Sequence, residues 1–388
     1  MTDIISLDNK YVARTYNRFP VEIISGNGSI AVDSKGKEYI DMGTGIGCTA
    51  FGYCDNEWKD AVTIQLSKVQ HTSNLYYTEP CAKLAKLLCD KTGMKKVFFG
   101  NSGAEANECA IKIARKYGAE KKGQDYFNII TLKNSFHGRT LTTLSATGQD
   151  SFHKLFNPLT QGFLYADAND INSVENLVKE NCVCGIMLEC VQGEGGVLPL
   201  TNEFVKAVYS LCQEQDIVLI IDEVQTGNGR TGELYAYMNF GIKPDVVTTA
   251  KGLGGGLPIG ACMMGEKVEN VLGFGDHGST FGGNPVSSAG AISIINRIDE
   301  NLLNGVKEKS KYIFEQLANA EGVISVSGMG LMIGIETVKP VKEVMAYCME
   351  NGVLPLTAKN KLRLLPALNI PFDLLKKAVE IIKKACKI

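Results

Sequence analysis

The run Asp245–Val246–Val247–Thr248–Thr249–Ala250–Lys251 is rich in β-branched residues and gives way to Gly252–Leu253–Gly254–Gly255–Gly256. Upstream, Ile217–Val218–Leu219–Ile220–Ile221 is unbroken aliphatic and ends on Asp222 in Asp222–Glu223–Val224–Gln225. Neither run alternates apolar with polar residues, as a half-exposed strand would. Both have the composition of strands buried on two faces, the kind found in parallel sheets sandwiched between helices. Each carries a charged residue out at its carboxyl end, where open α/β sheets bind their ligands.

The same alternation extends in both directions, from about residue 50 to 300. Val97–Phe99, Ile129–Leu132, Gly185–Leu188, Val246–Thr249 and Gly260–Met264 read as strands. Ser102 to Tyr117 and Glu203 to Gln215 read as helices, with Ser102 as N-cap and Glu105 three residues later as its capping-box partner. The fold class is therefore α/β: a large domain with a mostly parallel sheet covered by helices. The ends differ in character. The first 45 residues read as strands Val21–Ile24, Ile30–Asp33 and Tyr39–Asp41, with turns at Gly26–Asn27–Gly28 and Ser34–Lys37. The tail offers strands at Val323–Val326, Met332–Glu336 and Lys361–Leu365, and helices over Leu302–Ala318 and Leu374–Cys386. We expect a smaller, discontinuous α+β domain built from residues 1–48 and 300–388 around a large domain at 49–299.

Composition narrows the function classes. A 388-residue chain is too long for one small core. With 45% hydrophobic and 21% charged residues it has the make-up of an ordinary globular protein. A formal charge of −2 gives no sign of nucleic acid or an anionic membrane as partner. No apolar stretch approaches the roughly 20 residues of a membrane span, and Met1–Ile5 does not open a signal peptide, so a cytoplasmic location is expected. The twelve cysteines include no Cys-x-x-Cys pair, and the four histidines do not match them in metal-ligand spacing; we expect buried thiols and no metal site.

Several stretches carry chemistry. Lys251 and Asp222 form the pair a pyridoxal phosphate site needs: an amine for a Schiff base with the cofactor aldehyde, and a carboxylate that keeps the pyridine nitrogen protonated. Asn101–Ser102–Gly103–Ala104–Glu105 follows a strand and opens a helix, so its free N–H groups can hold a phosphate; ordinary capping explains the same residues. The glycines after Lys251 match neither a dinucleotide fingerprint nor a P-loop, and read as tight backbone beside the lysine. In Phe136–His137–Gly138–Arg139, Phe136 can stack on an aromatic cofactor and Arg139 can clamp a carboxylate, or the arginine is simply solvated. Glu189 and Glu194 bracket Gln192–Gly193 and can serve as acid and base or as charge partners. The loop His277–Pro285 precedes a helix, and its hydroxyls can reach a phosphate or merely cap.

Taken together, these motifs resemble the pyridoxal-phosphate aminotransferases of fold type I that act on terminal amines, the acetylornithine aminotransferase group above all. The matching stretches are Asn101–Asn107, Phe136–Arg139, Val191–Val197, Asp222–Gln225, Gly229–Glu233, Lys251 with its glycines, Gly278–Pro285 and Arg363–Leu368, spread from about Asn17 to the last helix. The resemblance implies a seven-stranded type of sheet and transfer of the terminal amino group of N2-acetylornithine to 2-oxoglutarate in arginine biosynthesis. It implies that Lys251 carries the cofactor and shuttles the proton, and that Asp222 pairs with the pyridine nitrogen. Phe136 and Val224 would sandwich the ring, with Gln225 on its phenolic oxygen. Ser102, Gly103 and Ala104 would hold the phosphate with Thr280 of a second subunit, making a homodimer with shared sites. Arg139 would bind the donor's α-carboxylate and later the distal carboxylate of 2-oxoglutarate, and Ser279 would touch the donor. Arg363 would bind the α-carboxylate of glutamate, masked by Glu194 while the amine donor is bound.

The sequence departs from that pattern in places. Ile46 stands where ornithine aminotransferases place a tyrosine, and an aliphatic residue suits an acylated amine better. Cys190 follows Glu189 where proline is usual, and Gly52–Tyr53 replaces a glycine–histidine pair. Ornithine, succinylornithine and 4-aminobutyrate remain alternative donors. A non-catalytic cofactor-binding regulator is disfavoured by intact Lys251, Asp222, Arg139 and Glu194. A nicotinamide-dependent dehydrogenase is disfavoured because no spaced-glycine fingerprint follows the first strand.

Overall fold

A computed structural model describes residues 4–387. Its centre is a seven-stranded sheet in the order Lys96–Gly100, Gly260–Met264, Val246–Thr249, Val218–Asp222, Val183–Leu188, Asn128–Leu132, Phe163–Ala166. Gly260–Met264 runs antiparallel to both of its neighbours, and the other pairings are parallel. The three strands nearest the centre are buried at every position, as their unbroken apolar composition requires. Two clusters of buried side chains cover the two faces of the sheet. Each fully buried Val, Leu or Ile there contributes about 1.5–3 kcal/mol relative to exposure.

Register places the charges. Asp222 pairs with Thr248, so the Val218–Asp222 strand ends three residues before Lys251 on the adjoining chain. The helix Gly103–Lys121 lies against this sheet through a buried stripe that includes Ala106, Asn107, Ala110 and Ile113. Its N-terminus points to the same edge.

The ends of the chain meet. Ile23–Asn27, Ile30–Asp33 and Glu38–Asp41 form a sheet that Val353–Leu354 joins in parallel beside Ile40–Asp41. A second antiparallel sheet runs Val323–Met329, Met332–Thr337, Lys361–Leu364, Leu356–Ala358. Helices Glu300–Leu317 and Val341–Glu350 pack with these strands, and Phe372–Cys386 packs on the two helices.

Three local expectations need correction. The amino-terminal stretch is not only strands and turns: Ile4–Tyr11 is a helix, yet it buries no residue, so no full apolar face announced it. The first strand is Ile23–Asn27 rather than Val21–Ile24; the turn is tighter, and Gly26 sits within the strand because a side chain there would strike the Tyr53 ring at 2.6 Å. Ser102 does cap its helix, accepting from the Glu105 N–H at 3.2 Å. The Glu105 carboxylate, however, reaches past Ser102 to the Asn101 N–H at 2.9 Å and accepts the Ser102 hydroxyl at 2.8 Å, so the capping box is displaced by one residue.

Candidate active site

At the carboxyl edge of the sheet lies a cavity of about 400 Å³. Asn101–Ala104, Phe136–Arg139, Asp222, Val224, Gln225 and Lys251 all line it. Asp222 is 3% exposed and fully committed. Its Oδ2 accepts from Asn107 Nδ2 and meets His137 Nδ1, both at 2.8 Å, while Oδ1 accepts from the Val224 N–H at 3.0 Å. Thr248 donates to Asn107 Oδ1 at 2.7 Å and orients that amide. Burial opposes a charge on His137, but the Asp222 carboxylate prevails and raises its pKa above the ordinary value. The buried carboxylate is thereby held in one orientation at the cavity wall.

Lys251 follows its strand in a tight turn, Lys251–Gly254, with φ 45° at the lysine itself. Such a conformation is unusual for a residue with a Cβ and holds the side chain in place. Burial pushes its amine pKa down, against the pull of Glu194 and with the help of Arg363. The phosphate-side glycine also has a steric reason: a Cβ on Gly103 would come within 2.6 Å of Val224 Cγ1. Only glycine lets the helix start so close to the wall opposite Phe136. The first N–H groups of this 19-residue helix face the cavity end without intrahelical partners, an anion-holding arrangement.

Beside Gln225 lies the ion pair Arg363–Glu194, 2.6 Å long, with Arg363 3% exposed. Gln225 ties both: its Nε2 donates to Glu194 Oε1 at 3.3 Å and its Oε1 accepts from Arg363 Nη1 at 3.1 Å. Burial raises the Glu194 pKa, but Arg363 outweighs it and the net shift is downward. Arg139 is different: exposed, without an ion pair among the described residues, and stacked over Phe152 and Phe136 at 4.1 and 5.5 Å from their centroids. Glu189 also lines the cavity; it accepts from the Phe136 N–H at 2.9 Å and the Gly193 N–H at 3.4 Å, and burial pushes its pKa up to about 7.

Not every expected residue gathers here. Thr280 lines a separate surface cavity with Tyr76, Tyr77 and Asn284, and Ser279 lies outside the main cavity, its hydroxyl accepting from Asn101 Nδ2 at 3.2 Å. Ile46 is 41% exposed and is not part of the cavity wall, which Cys48 forms instead. His137 and Asn107 went unread in the sequence. The available signal for Asn107 was helical spacing, since it lies three residues beyond Ala104 on the face that meets the strand ends.

A family model for class-III aminotransferases matches residues 11–386. The chain belongs to the class-III aminotransferases. Among curated class-III relatives, the acetylornithine aminotransferase of Haemophilus ducreyi is 50% identical over 381 residues, covering 98% of this chain and 97% of its own. That of Caldanaerobacter subterraneus is 43% identical, covering 98% of each. Among solved structures, the ornithine aminotransferase of Toxoplasma gondii superposes with a TM-score of 0.94 at 30% identity, covering 99% and 94%. The N-acetylornithine aminotransferase of Stenotrophomonas maltophilia does so with a TM-score of 0.84 at 34% identity, covering 98% of each. A further structure of the Toxoplasma enzyme carries PLP at its active site. As a class-III aminotransferase this chain is a pyridoxal-phosphate-dependent enzyme. Its residues fit that group: a helix N-terminus for phosphate, close backbone at Gly103 where a Cβ would strike Val224, and a buried carboxylate and an amine lining the same cavity.

Proposed function

We propose that this enzyme moves the terminal amino group of N2-acetylornithine to 2-oxoglutarate, giving N-acetylglutamate semialdehyde and glutamate. The observation that carries the reading is the buried Arg363–Glu194 pair on Gln225, together with Arg139 in the cavity wall, which has no ion pair among the described residues. One pocket must present a terminal amine in one half-reaction and an α-amine in the other. A cation that is masked and then unmasked changes the pocket's charge between the two.

Pyridoxal phosphate, when bound, supplies an aldehyde that takes the amino group and a ring that accepts the electron pair left when the donor carbon loses a proton. The chain's own residues do the rest. Ser102, Gly103 and Ala104 would hold the phosphate, Phe136 and Val224 would flank the ring, and Asp222, steadied by His137 and Asn107, would keep a proton on the pyridine nitrogen, with Gln225 for the phenolic oxygen. Lys251, its amine made easier to deprotonate by burial, takes the donor's proton and returns it. Arg139 binds the donor's carboxylate, while Glu194 neutralises Arg363. In the second half-reaction Glu194 leaves Arg363, which then binds the α-carboxylate of the amino acid formed from 2-oxoglutarate.

Free ornithine is the alternative donor, favoured by the closeness in fold to ornithine aminotransferases. Identity of 43–50% to curated acetylornithine aminotransferases, and of 34% to a solved N-acetylornithine aminotransferase against 30% to a solved ornithine enzyme, supports the acylated substrate. We also propose that residues 1–48 and 300–388 form one small domain around 49–299. The active unit is proposed as a homodimer in which Thr280 reaches the partner's phosphate site. Supporting this, Leu75, Tyr76, Tyr77, Phe274 and Phe281 stand exposed around the Thr280 loop. No helix among the described residues is long and apolar enough to cross a membrane.

The test is Glu194→Ala. It leaves Arg363 open in both half-reactions, so glutamate should compete better with the amine donor. An unchanged partition between the half-reactions would count against the switch.

A further inference from the structure

Two energetically unfavourable features lie close together near the Cys48 wall of the cavity. The first is Arg230, 3% exposed, in the loop after Gln225. Burial draws its pKa down to about 10, so it stays cationic near neutrality, and among the described residues no carboxylate forms an ion pair with it. Its Nη1 donates instead to two main-chain carbonyls, Pro366 O at 2.5 Å and Leu331 O at 3.2 Å. A buried cation without a counter-ion is disfavoured strongly enough to need a reason.

The second is a turn of left-handed helix. Thr44, Gly45, Ile46 and Gly47 have φ of 45°, 61°, 62° and 79°, and the Cys48 N–H closes the turn onto Thr44 O at 2.8 Å. L-residues avoid this conformation, β-branched ones most of all. Strain of this kind persists only where the surroundings over-determine it. Asp41 Oδ1 accepts from the Gly43 and Thr44 N–H groups at 2.8 and 2.9 Å, and the Thr44 hydroxyl donates to Leu365 O at 2.5 Å. A methyl group at Gly47 would lie 4.0 Å from Arg230 Nη2.

These contacts join the walls of the site. The exit of the Arg363 strand is sewn to the turn's segment by Leu365 N–H to Met42 O and Leu368 N–H to Ala50 O, at 2.7 and 2.8 Å, with Arg230 beneath the seam. On its other side the Arg230 loop holds the lysine turn, since Asn228 Nδ2 donates to Thr249 Oγ1 at 3.0 Å and Ala250 O at 3.2 Å. Cys48, closing the left-handed turn, is itself a cavity wall.

We infer that Arg230 is a positioning residue that holds the left-handed Thr44–Gly47 turn against the exit of the Arg363 strand, and so sets how tightly the pocket takes a dicarboxylate. The inference rests on Arg363 being a substrate-carboxylate arm. Arg363 lies two residues before Leu365, and a guanidinium binds a carboxylate well only when its donor fork is correctly placed. The two N–H groups of Nη1 take the two carbonyls while the rest of the rigid guanidinium, with Nη2 on the Gly47 side, fills space that a lysine ammonium would leave empty.

The experiment is calorimetric titration of the holoenzyme with glutarate, an unreactive dicarboxylate, alongside thermal melting and steady-state kinetics. Arg230→Lys and Arg230→Met should weaken glutarate binding by about tenfold, the equivalent of one charge-assisted hydrogen bond. KM for 2-oxoglutarate should rise in parallel while kcat changes much less. Thr44→Val, which loses the seam bond but keeps Arg230, should weaken binding in the same direction, and Thr44→Ser should restore it. A purely structural role would lower Tm and leave glutarate affinity alone. Folded Arg230 variants with unchanged affinity would overturn the inference; if none folds, unchanged affinity in Thr44→Val would do so. Wild-type enzyme that fails to bind glutarate would sink the proposed function, and this inference with it.

Discussion

Asp222 shows how much a single side chain owes to its neighbours. Its oxygens are held by Asn107, His137 and the Val224 N–H, so a carboxylate that costs free energy to bury is kept in one orientation. Asp222→Asn should lower turnover by about a hundredfold or more, because the charge that holds a proton on the ring is gone. His137→Phe should act more mildly, lowering kcat while cofactor stays bound; turnover equal to wild type would remove His137 from the account. Lys251 and Asp222 were legible because each ends a buried strand with a charge. His137 was not: its partner is 85 positions away, and a buried histidine in sequence looks like any core residue. Glu189, which lent itself to an acid–base role, accepts two main-chain N–H groups and ties the Phe136 loop to the Gly193 loop.

At the scale of elements, the helix Gly103–Lys121 joins its cap and one wall of the cavity in its first turn, where the proposed function puts the cofactor phosphate. Gly103→Ala drives a methyl group into Val224, 2.6 Å away, and should weaken cofactor retention with little change in secondary structure. Dialysis against cofactor-free buffer, followed by absorbance, measures it; retention equal to wild type would mean the space beside Gly103 is wider than described. The central strands and this helix were readable because continuous apolar runs and a capped 3.6-residue period are strong signals. The Ile4–Tyr11 helix and the Phe163–Ala166 edge strand were not. The first buries nothing and the second buries only its last residue, so neither leaves a pattern. The displaced capping box was also illegible, since Ser102 and Glu105 keep the right spacing whichever N–H the carboxylate chooses.

For the molecule as a whole, buried acids set a direction for stability against pH. Burial raises Glu189 and Glu223 to about 7 each, so the folded chain binds their protons more tightly than the unfolded chain does. That contribution is full below the ordinary carboxylate range and is lost as pH rises through about 7. Glu223, held by Thr226 and the Tyr237 N–H away from the cavity, isolates the effect. Glu223→Gln should shrink the fall in Tm between about pH 5 and about pH 8; an unchanged fall would show that Glu223 does not carry it. The dimer makes its own prediction. If Thr280 serves the partner's site, mixing Lys251→Ala with Thr280→Ala subunits should restore one intact site per mixed dimer and recover activity. No recovery would place Thr280 in its own subunit's site or nowhere. The alternating elements were visible in the sequence, whereas an exposed apolar rim around Thr280 emerges only once the chain is folded. The most direct test of the central claim is kcat/KM for N2-acetylornithine against free ornithine, each with 2-oxoglutarate as acceptor. The account predicts a clear preference for N2-acetylornithine, and a clear preference for free ornithine would contradict it.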